Sequence, residues 1–284
     1  MRRLVPLLLL VLSGSITAGA QTPACDALDA DQRASAESLL ASEYLWECCD
    51  DTISRCLERD PRSRLATLIA EDVCRRVAAG QDAERIRRGL SRRARSMIDG
   101  GSRAEIHVDD RMVVGPEGAP VTVVVYACAR CPYCSRLVPA LYTAVTEGEL
   151  AGTARLAFRI FPIRGHEGST EAGLAFAAAA DMGAFWPFLL HAYSHFDVFT
   201  PELQPQWAAS VGLDPAEFSA RLRDPQIRET VVASKKEGLV NGVAETPTLF
   251  LNDRRWVGDL ELDEVVSAVN EEAARVKGEL CESE

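Results

Sequence analysis

Two hydrophobic patterns divide the chain near residue 100. Before that point, apolar residues recur at the three- and four-residue spacing of amphipathic helices. After residue 106, short and nearly continuous apolar runs alternate with further helical stretches. We therefore predict an all-α domain followed by an α/β domain, with Gly100-Gly101-Ser102 as the boundary between them.

Three helical segments are predicted in the first domain. The first spans 31–57, and the polar stretch Cys48-Cys49-Asp50-Asp51 can interrupt it. The second starts at Pro61, because proline is tolerated in a first helical turn, and it ends at Gly80. The third runs from 83 to about 97, with Asp82 as its N-cap.

The second domain is predicted to alternate strands with helices. Strands are expected at 106–108, 121–126, 156–161, 248–251 and 255–257. Helices are expected at 135–147, 169–194, 201–211, 215–222, 225–239 and 260–276. The 121–126 run is almost wholly apolar, which is typical of a central strand buried on both faces.

The N-terminus has the features of a secretory signal peptide. Arg2 and Arg3 precede the apolar run 4–12, and Ala18-Gly19-Ala20 is a small-residue cleavage motif. Cleavage after Ala20 would place the mature chain in the periplasm or outside the cell. The predicted organisation is a signal peptide (1–20), a helical cysteine-rich domain (21–100) and an α/β domain (101–284). The formal net charge of −11 argues against a nucleic-acid partner.

The chain carries nine cysteines, an odd number. In an exported protein they indicate structural disulfides together with at least one free thiol or one bonded to another molecule. The pairing cannot be deduced from sequence. The nine are Cys25, Cys48, Cys49, Cys56, Cys74, Cys128, Cys131, Cys134 and Cys281.

The motif Cys131-Pro132-Tyr133-Cys134 lies where a predicted strand gives way to a helix. At a helix N-terminus, unpaired N–H groups and the helix dipole favour the thiolate of Cys131. Cys134 lies one turn on, where it can close or resolve a disulfide. A zinc site would need a second pair of ligands at similar spacing, so no metal or other cofactor is predicted.

Residues 113 to about 272 resemble the DsbA-like thioredoxin-fold proteins, bacterial envelope thiol–disulfide oxidoreductases. The similar segments are V-V-G-P-E-G-A-P-V-T-V-V-V-Y, C-P-Y-C, F-R-I-F-P-I, G-A-F-W-P-F and G-V-A-E-T-P-T-L-F-L-N. The resemblance implies an α/β thioredoxin fold with a helical insertion, here preceded by the small all-α domain.

The resemblance also implies roles for individual residues. Cys131 and Cys134 would be catalytic, with Pro132 and Tyr133 tuning the redox potential. Thr246-Pro247 would have a cis peptide bond beside Cys131, and the Thr246 backbone would pair with a substrate strand. Partners would be proteins with thiols or disulfides, and a redox-recycling partner in solution or in the membrane. The redox direction and the oligomeric state stay open.

Three positions depart from the family pattern. Val125 stands where many members have a buried acid, six residues before the first cysteine. Glu245 precedes Thr246 where glycine is common, and it is either a proton-transfer group or an exposed loop carboxylate. Cys128 is either an extra active-site thiol that tunes the pair, a buried small residue, or a half-cystine paired with the helical domain.

The segment 68–90 resembles, in outline, the helical domain of CcmH-type proteins of cytochrome c maturation. That family has a Cys-X-X-Cys before its helices, whereas this chain has Cys48-Cys49 and then Cys56. Structural disulfides are therefore favoured in the helical domain. Two alternative functions stay open: a thiol reductant in cytochrome c or metal-site assembly, and a metal chaperone using Cys128, Cys131 and Cys134.

Two further clusters are interpreted as structural. A basic run in the third helix is expected to be a solvated face, with docking of an acidic partner or of anionic lipid as the alternative. It comprises the arginines at 85, 87, 88, 92, 93 and 95. His191 and His195 stand four residues apart, a spacing that metal pairs use, but no third ligand is evident and a packed or surface pair is favoured.

Overall fold

The computed structural model describes residues 22–98 and 103–281. The predicted signal peptide and the predicted boundary at Gly100-Gly101-Ser102 lie outside these ranges. No helix in the described part of the chain combines the length and the apolar character needed to cross a bilayer.

Helices alone make up the regular structure of the first region. They are α1 (Pro23–Asp26), α2 (Ala30–Ser42), α3 (Ile53–Arg59), α4 (Arg64–Ala78) and α5 (Ala83–Met97). The predicted interruption of the first long segment is confirmed between α2 and α3, where Tyr44 and Thr52 form an isolated bridge. Asp82 caps α5 as predicted, because its carboxylate accepts from the Arg85 N–H at 2.8 Å.

Six cysteines form three disulfides around these helices. Cys25 pairs with Cys74 and Cys49 pairs with Cys56 within the helical region. Cys48 pairs with Cys281, 233 residues away, and so joins the helical region to the far end of the chain.

A five-stranded mixed sheet forms the centre of the second region. Its strands lie in the order β1-β3-β2-β4-β5, with β2 and β3 parallel and the other pairs antiparallel. The strands are β1 (Val113–Val114), β2 (Val121–Ala127), β3 (Ala154–Ile160), β4 (Thr248–Leu251) and β5 (Arg254–Arg255). Strand β2 is the central strand of the sheet, as its apolar sequence predicts.

The predicted strand at 106–108 is wrong. This segment has no regular structure, although Ile106 and Val108 pack against the sheet. Its backbone bonds to side chains instead of a strand: the His107 N–H donates to Glu237, and the Glu105 carbonyl accepts from Asn241. The alternation of apolar residues therefore correctly predicted which side chains face the core. It did not show that the segment pairs with another strand.

The second region has seven α-helices within the described residues. They are α6 (Cys134–Thr146), α7 (Ser169–Asp181), α8 (Phe185–Ser194), α9 (Gln204–Ser210), α10 (Pro215–Arg221), α11 (Pro225–Val240) and α12 (Leu262–Lys277). The run α7–α11 between β3 and β4 is the helical insertion. The architecture is therefore the predicted α/β thioredoxin fold with a helical insertion and a helical region before it.

The two regions share helix α12. Ala274 at its end and Leu280 just beyond it belong to the apolar core of the helical region. Arg93 of α5 is buried and pairs with Asp72 of α4 and Glu271 of α12 at 3.1 and 3.0 Å. The expectation of a solvated basic face is therefore wrong for Arg93, because its guanidinium is needed between two buried carboxylates.

The other arginines of the basic run behave differently. Those at 85, 87, 88 and 95 are exposed, as expected, and Arg92 is half-buried.

Candidate active site

The cysteine motif lies at the junction of β2 and α6. After β2 ends at Ala127, a short turn brings Cys131 to the start of α6, where its carbonyl accepts from the Ser135 N–H at 3.0 Å. Cys134 is the first residue of α6. Both sulfurs are buried and free. The strand-to-helix placement predicted from the motif is confirmed.

The environment of Cys131 favours its thiolate. A hydrogen bond from the Cys134 thiol lowers the pKa of Cys131 to about 5 against the opposing effect of burial, and the main-chain N–H groups of Cys134 and Tyr133 add to it. The carbonyl of Thr246 lies 3.3 Å from the Cys131 sulfur and accepts a hydrogen bond from the protonated thiol.

Cys134 is held in the opposite state. Burial, and then its hydrogen bond to Cys131, raise the pKa of Cys134 well above the ordinary thiol value. Two adjacent thiols therefore have their pKa values pushed apart, so that one is ionised and the other protonated near neutral pH. This is the arrangement that thiol exchange needs in an attacking sulfur and its resolving partner.

The loop before β4 faces Cys131. The Thr246–Pro247 bond is cis, as the resemblance implied. Pro247 is buried, while the hydroxyl of Thr246 is buried without a hydrogen-bond partner among the described residues. Thr246 is close enough to Cys131 for its side chain to contribute to the lowered pKa of that thiol. The structure thus brings together residues more than 110 positions apart that sequence similarity had grouped.

Comparison with known proteins agrees with this geometry. A family model described as thioredoxin matches residues 107–271. The chain belongs to the thioredoxin family. Its fold is also that of BdbD from Bacillus subtilis in the oxidised form, at 21% identity and a TM-score of 0.52, covering 61% of this chain and 99% of BdbD. α-DsbA1 from Wolbachia pipientis gives 19% identity and a TM-score of 0.51 over 60% of this chain and 94% of that one.

A second group of relatives is much longer than this thioredoxin-family chain. This chain is 31% identical over 186 residues to the Na⁺/H⁺ antiporter NhaA 3 of Salinispora tropica, and the match covers 63% of this chain and 28% of the antiporter. The NhaA antiporter of Herminiimonas arsenicoxydans is 30% identical over 161 residues, or 25% of its length. The chain therefore spans about a quarter of the curated relatives it matches.

The other residues of the thioredoxin motif face solvent. Pro132 is exposed, and the Tyr133 ring is 64% exposed with the Arg136 guanidinium 5.3 Å from its centroid. Glu245 is also exposed, at the edge of a groove beside the motif. The carboxylate of Glu245 is therefore exposed, and its role in proton transfer stays a prediction.

Cys128 is buried and free, so the interpretation as a half-cystine is wrong. Its sulfur lies 3.4 Å from His166 Nδ1 and 3.4 Å from the Ser169 hydroxyl. The carbonyl of Cys128 accepts from the buried Tyr193 hydroxyl at 3.2 Å. Sequence reasoning missed all three contacts, because these partners are 38 to 65 residues away and no local pattern links them.

Val125 is buried in the same apolar core as the two motif cysteines. The side chain at this position therefore presents only methyl groups to that core and supplies no carboxylate for proton transfer to Cys134. A partly buried acid does occur behind the sheet, where Glu237 accepts from the Tyr126 hydroxyl at 2.6 Å and pairs with Arg159 at 2.9 Å. Because Tyr126 belongs to a different apolar cluster from the cysteines, this acid lies on the other face of β2.

The two histidines of α8 and its C-terminal end stack on each other. The His191 and His195 rings are 4.3 Å apart at their centroids, and both contact Trp207. Burial, and then the charge of His195, lower the pKa of His191. Over residues 22–98 and 103–281, no three histidine, cysteine or acidic side chains are placed to hold a metal ion.

Proposed function

We propose that this protein is an envelope thiol–disulfide oxidoreductase that exchanges disulfides with protein substrates through Cys131 and Cys134. The observation that carries the proposal is the pair of buried, neighbouring thiols whose pKa values are displaced in opposite directions. A structural pair would need no such asymmetry, since a closed disulfide does not titrate. The thioredoxin-family membership supports the same chemistry.

Oxidation of a substrate proceeds in two exchanges. A substrate thiolate attacks Cys131 in the Cys131–Cys134 disulfide, so that a substrate–Cys131 bond forms and Cys134 leaves and takes up a proton. A second substrate thiolate then attacks the substrate sulfur of this mixed disulfide. Cys131 leaves as a thiolate, which its low pKa favours. The substrate loses two electrons and the enzyme gains them, until a recycling partner reoxidises the pair.

Reduction of a substrate is the same sequence run backwards. The Cys131 thiolate attacks the substrate disulfide and Cys134 resolves the mixed disulfide. In either direction we propose that the substrate lies as an extended strand along Thr246 and Pro247, beside the Cys131 sulfur. Pro132 and Tyr133 adjust how well the thiolate is solvated, because both are exposed next to it.

The cysteines of the helical region support a structural role for that region. Three cysteines of the α/β region are free, and the other six cysteines form disulfides. Disulfides persist in oxidising compartments such as the periplasm. A role as a thiol reductant in cytochrome c or metal-site assembly would therefore use Cys131 and Cys134 as well. We propose 101–284 as the unit that carries the chemistry and 21–100 as an addition that acts upon it.

A serine substitution at Cys131 tests the proposal. C131S should lower the rate of exchange with a disulfide-bonded peptide by on the order of a thousandfold or more, since it removes the nucleophile itself. The double variant C49S/C56S is the matched control, because it also replaces cysteines but lies in the helical region. Exchange that survives in C131S at the rate of the control would refute the proposal.

A further inference from the structure

A groove of about 750 Å³ runs beside the cysteine motif. One wall comes from α6 and the motif, including Tyr133 and Arg136, and the cis-proline loop forms its end. The facing wall is the segment 258–262 between β5 and α12. The position of that segment therefore affects the shape of the groove beside the cysteine motif.

The facing wall is fixed partly from within. The Trp256 indole N–H donates to the Asp259 carbonyl at 2.8 Å and closes a tight turn. Gly258 is required inside this turn, because a Cβ there would lie 2.1 Å from the Trp256 ring.

The same wall is also held from outside, by the helical region. Ser96 of α5 accepts from the Val257 N–H at 2.9 Å. Each oxygen of the Asp259 carboxylate accepts a hydrogen bond from a different arginine. Arg76 of α4 donates to Oδ2 at 2.7 Å, and Arg92 of α5 donates to Oδ1. A carboxylate with both oxygens occupied by cations is fixed in position and orientation.

Arg76 reaches Asp259 through an opening that the sequence of α5 provides. Its guanidinium is only 2% exposed and also pairs with Asp72 at 2.8 Å. It crosses α5 at Gly89, where a Cβ would lie 2.4 Å from Nη1. A glycine in the middle of a helix costs stability, so its presence here is explained by the passage of this side chain.

We propose that Arg76 and Arg92 are positioning residues for substrate binding, acting through Asp259 on the wall of the groove. The helical region thereby determines how an extended peptide fits beside Cys131 without touching the reacting sulfurs. This inference rests on the proposed function, and it adds a partner specificity that the thioredoxin-fold region does not have alone. Loss of an arginine contact to Asp259 should widen the groove and weaken peptide binding, while the reactivity of the two cysteines stays the same.

The variant R92Q tests this in the full-length protein, since Arg92 is half-exposed and its loss leaves no buried carboxylate wholly unpaired. We expect the KM for a disulfide-bonded peptide to rise about fivefold with kcat unchanged. The pKa of Cys131 and the rate with a small-molecule dithiol should also stay unchanged. R88Q is the matched control, because Arg88 lies on the same helix and, within the described residues, pairs with the exposed Glu84 instead of Asp259.

Two further variants keep the test decisive. G89A should raise the peptide KM in the same way, because its methyl group displaces Arg76. Combining R92Q with D259N should raise the KM no further than D259N alone, since D259N already weakens the contact that R92Q removes.

Several results would overturn the inference: a peptide KM in R92Q equal to that of R88Q, a kcat that falls together with the small-dithiol rate, or multiplying effects in the combined variant. Inactivity of the unmodified protein with both substrates would instead refute the proposed function.

Discussion

The two regions of this protein use cysteine in opposite ways. In the helical region and at the chain end, six cysteines are joined into three disulfides. In the thioredoxin-fold region, three cysteines within seven residues stay free although all are buried. The difference does not follow from proximity along the chain. Cys48 and Cys49 are adjacent, yet each forms a disulfide with a different cysteine.

Backbone conformation explains part of this contrast. Cys48 has a φ of 67°, a left-handed conformation that few residues other than glycine adopt. This turn directs neighbouring side chains apart, so that Cys48 reaches Cys281 and Cys49 reaches Cys56. In the Cys131 motif the start of α6 instead keeps both sulfurs on one side, within hydrogen-bond reach of each other. The helix start, rather than the number of cysteines, makes a reactive pair.

The largest expected effect concerns the long-range disulfide. The variant C48S/C281S should lower the free energy of unfolding by about 5 kcal/mol and C49S/C56S by about 2 kcal/mol, since the loops they open differ so much in length. The sequence separations are 233 and 7 residues. Urea denaturation of the oxidised proteins measures both values. Equal losses would show that loop length is not what distinguishes these two disulfides.

A smaller effect is expected within the reactive pair. C134A removes the thiol that donates to Cys131, so the pKa of Cys131 should rise from about 5 toward the ordinary thiol value. Thiolate ultraviolet absorbance against pH measures it, with C128S as the control for a nearby buried thiol. An unchanged pKa in C134A would mean that the helix start alone stabilises the thiolate, and the contrast between the regions would rest on backbone geometry only.

The thiolate also links pH to the stability of the reduced protein. Because the pKa of Cys131 is lower in the folded than in the unfolded chain, its contribution is fully present above the unfolded pKa and is lost as pH falls through about 5. The oxidised protein has no such contribution. The difference in Tm between the reduced and oxidised forms should therefore shift in favour of the oxidised form as pH is lowered from 9 to 5.

The smallest expected effect lies at the contact between the regions. Burial, and then a hydrogen bond with Asp72, raise the pKa of Glu264 to about 8. Because the folded state favours the neutral acid, this contribution is present at acidic pH and is lost as pH rises through about 8. E264Q stays neutral, so it should gain stability relative to the unmodified protein as pH rises from 5 to 9. Parallel stability curves for the two proteins would contradict a shared proton at this contact.

Removing the helical region is a poor way to study it. Deletion would remove both arginine partners of Asp259 and the buried Arg93 partner of Glu271, and it would expose Ala274 and Leu280. A buried carboxylate that loses its partner costs several kcal/mol. Point variants such as R92Q separate substrate binding from folding, whereas deletion would change both together.

Local signals in the sequence were sufficient for the elements and for the centre of the site. Helix and strand periods placed α5 and β4 at their observed bounds, and the Cys-X-X-Cys motif with Thr246-Pro247 predicted two facing pieces with a cis bond. These features depend on contacts within a few residues or on a pattern shared with a family. The strand expected at 106–108 shows the limit, because periodicity marks a buried face without saying what bonds to the backbone.

Only the tertiary structure decided the pairing of the cysteines and the burial of Arg93. The same is true of the contacts of Cys128 with His166 and Ser169. It is also true of the ion pairs that Arg76 and Arg92 form with Asp259. Apart from the Cys49–Cys56 disulfide and the Arg93–Asp72 pair, these contacts join residues that are far apart along the chain, from 38 residues for Cys128 and His166 to 233 for Cys48 and Cys281. No residue pattern within a helix or strand specifies a partner at such a distance. That choice depends on how whole helices and strands pack against one another, and therefore on the tertiary structure.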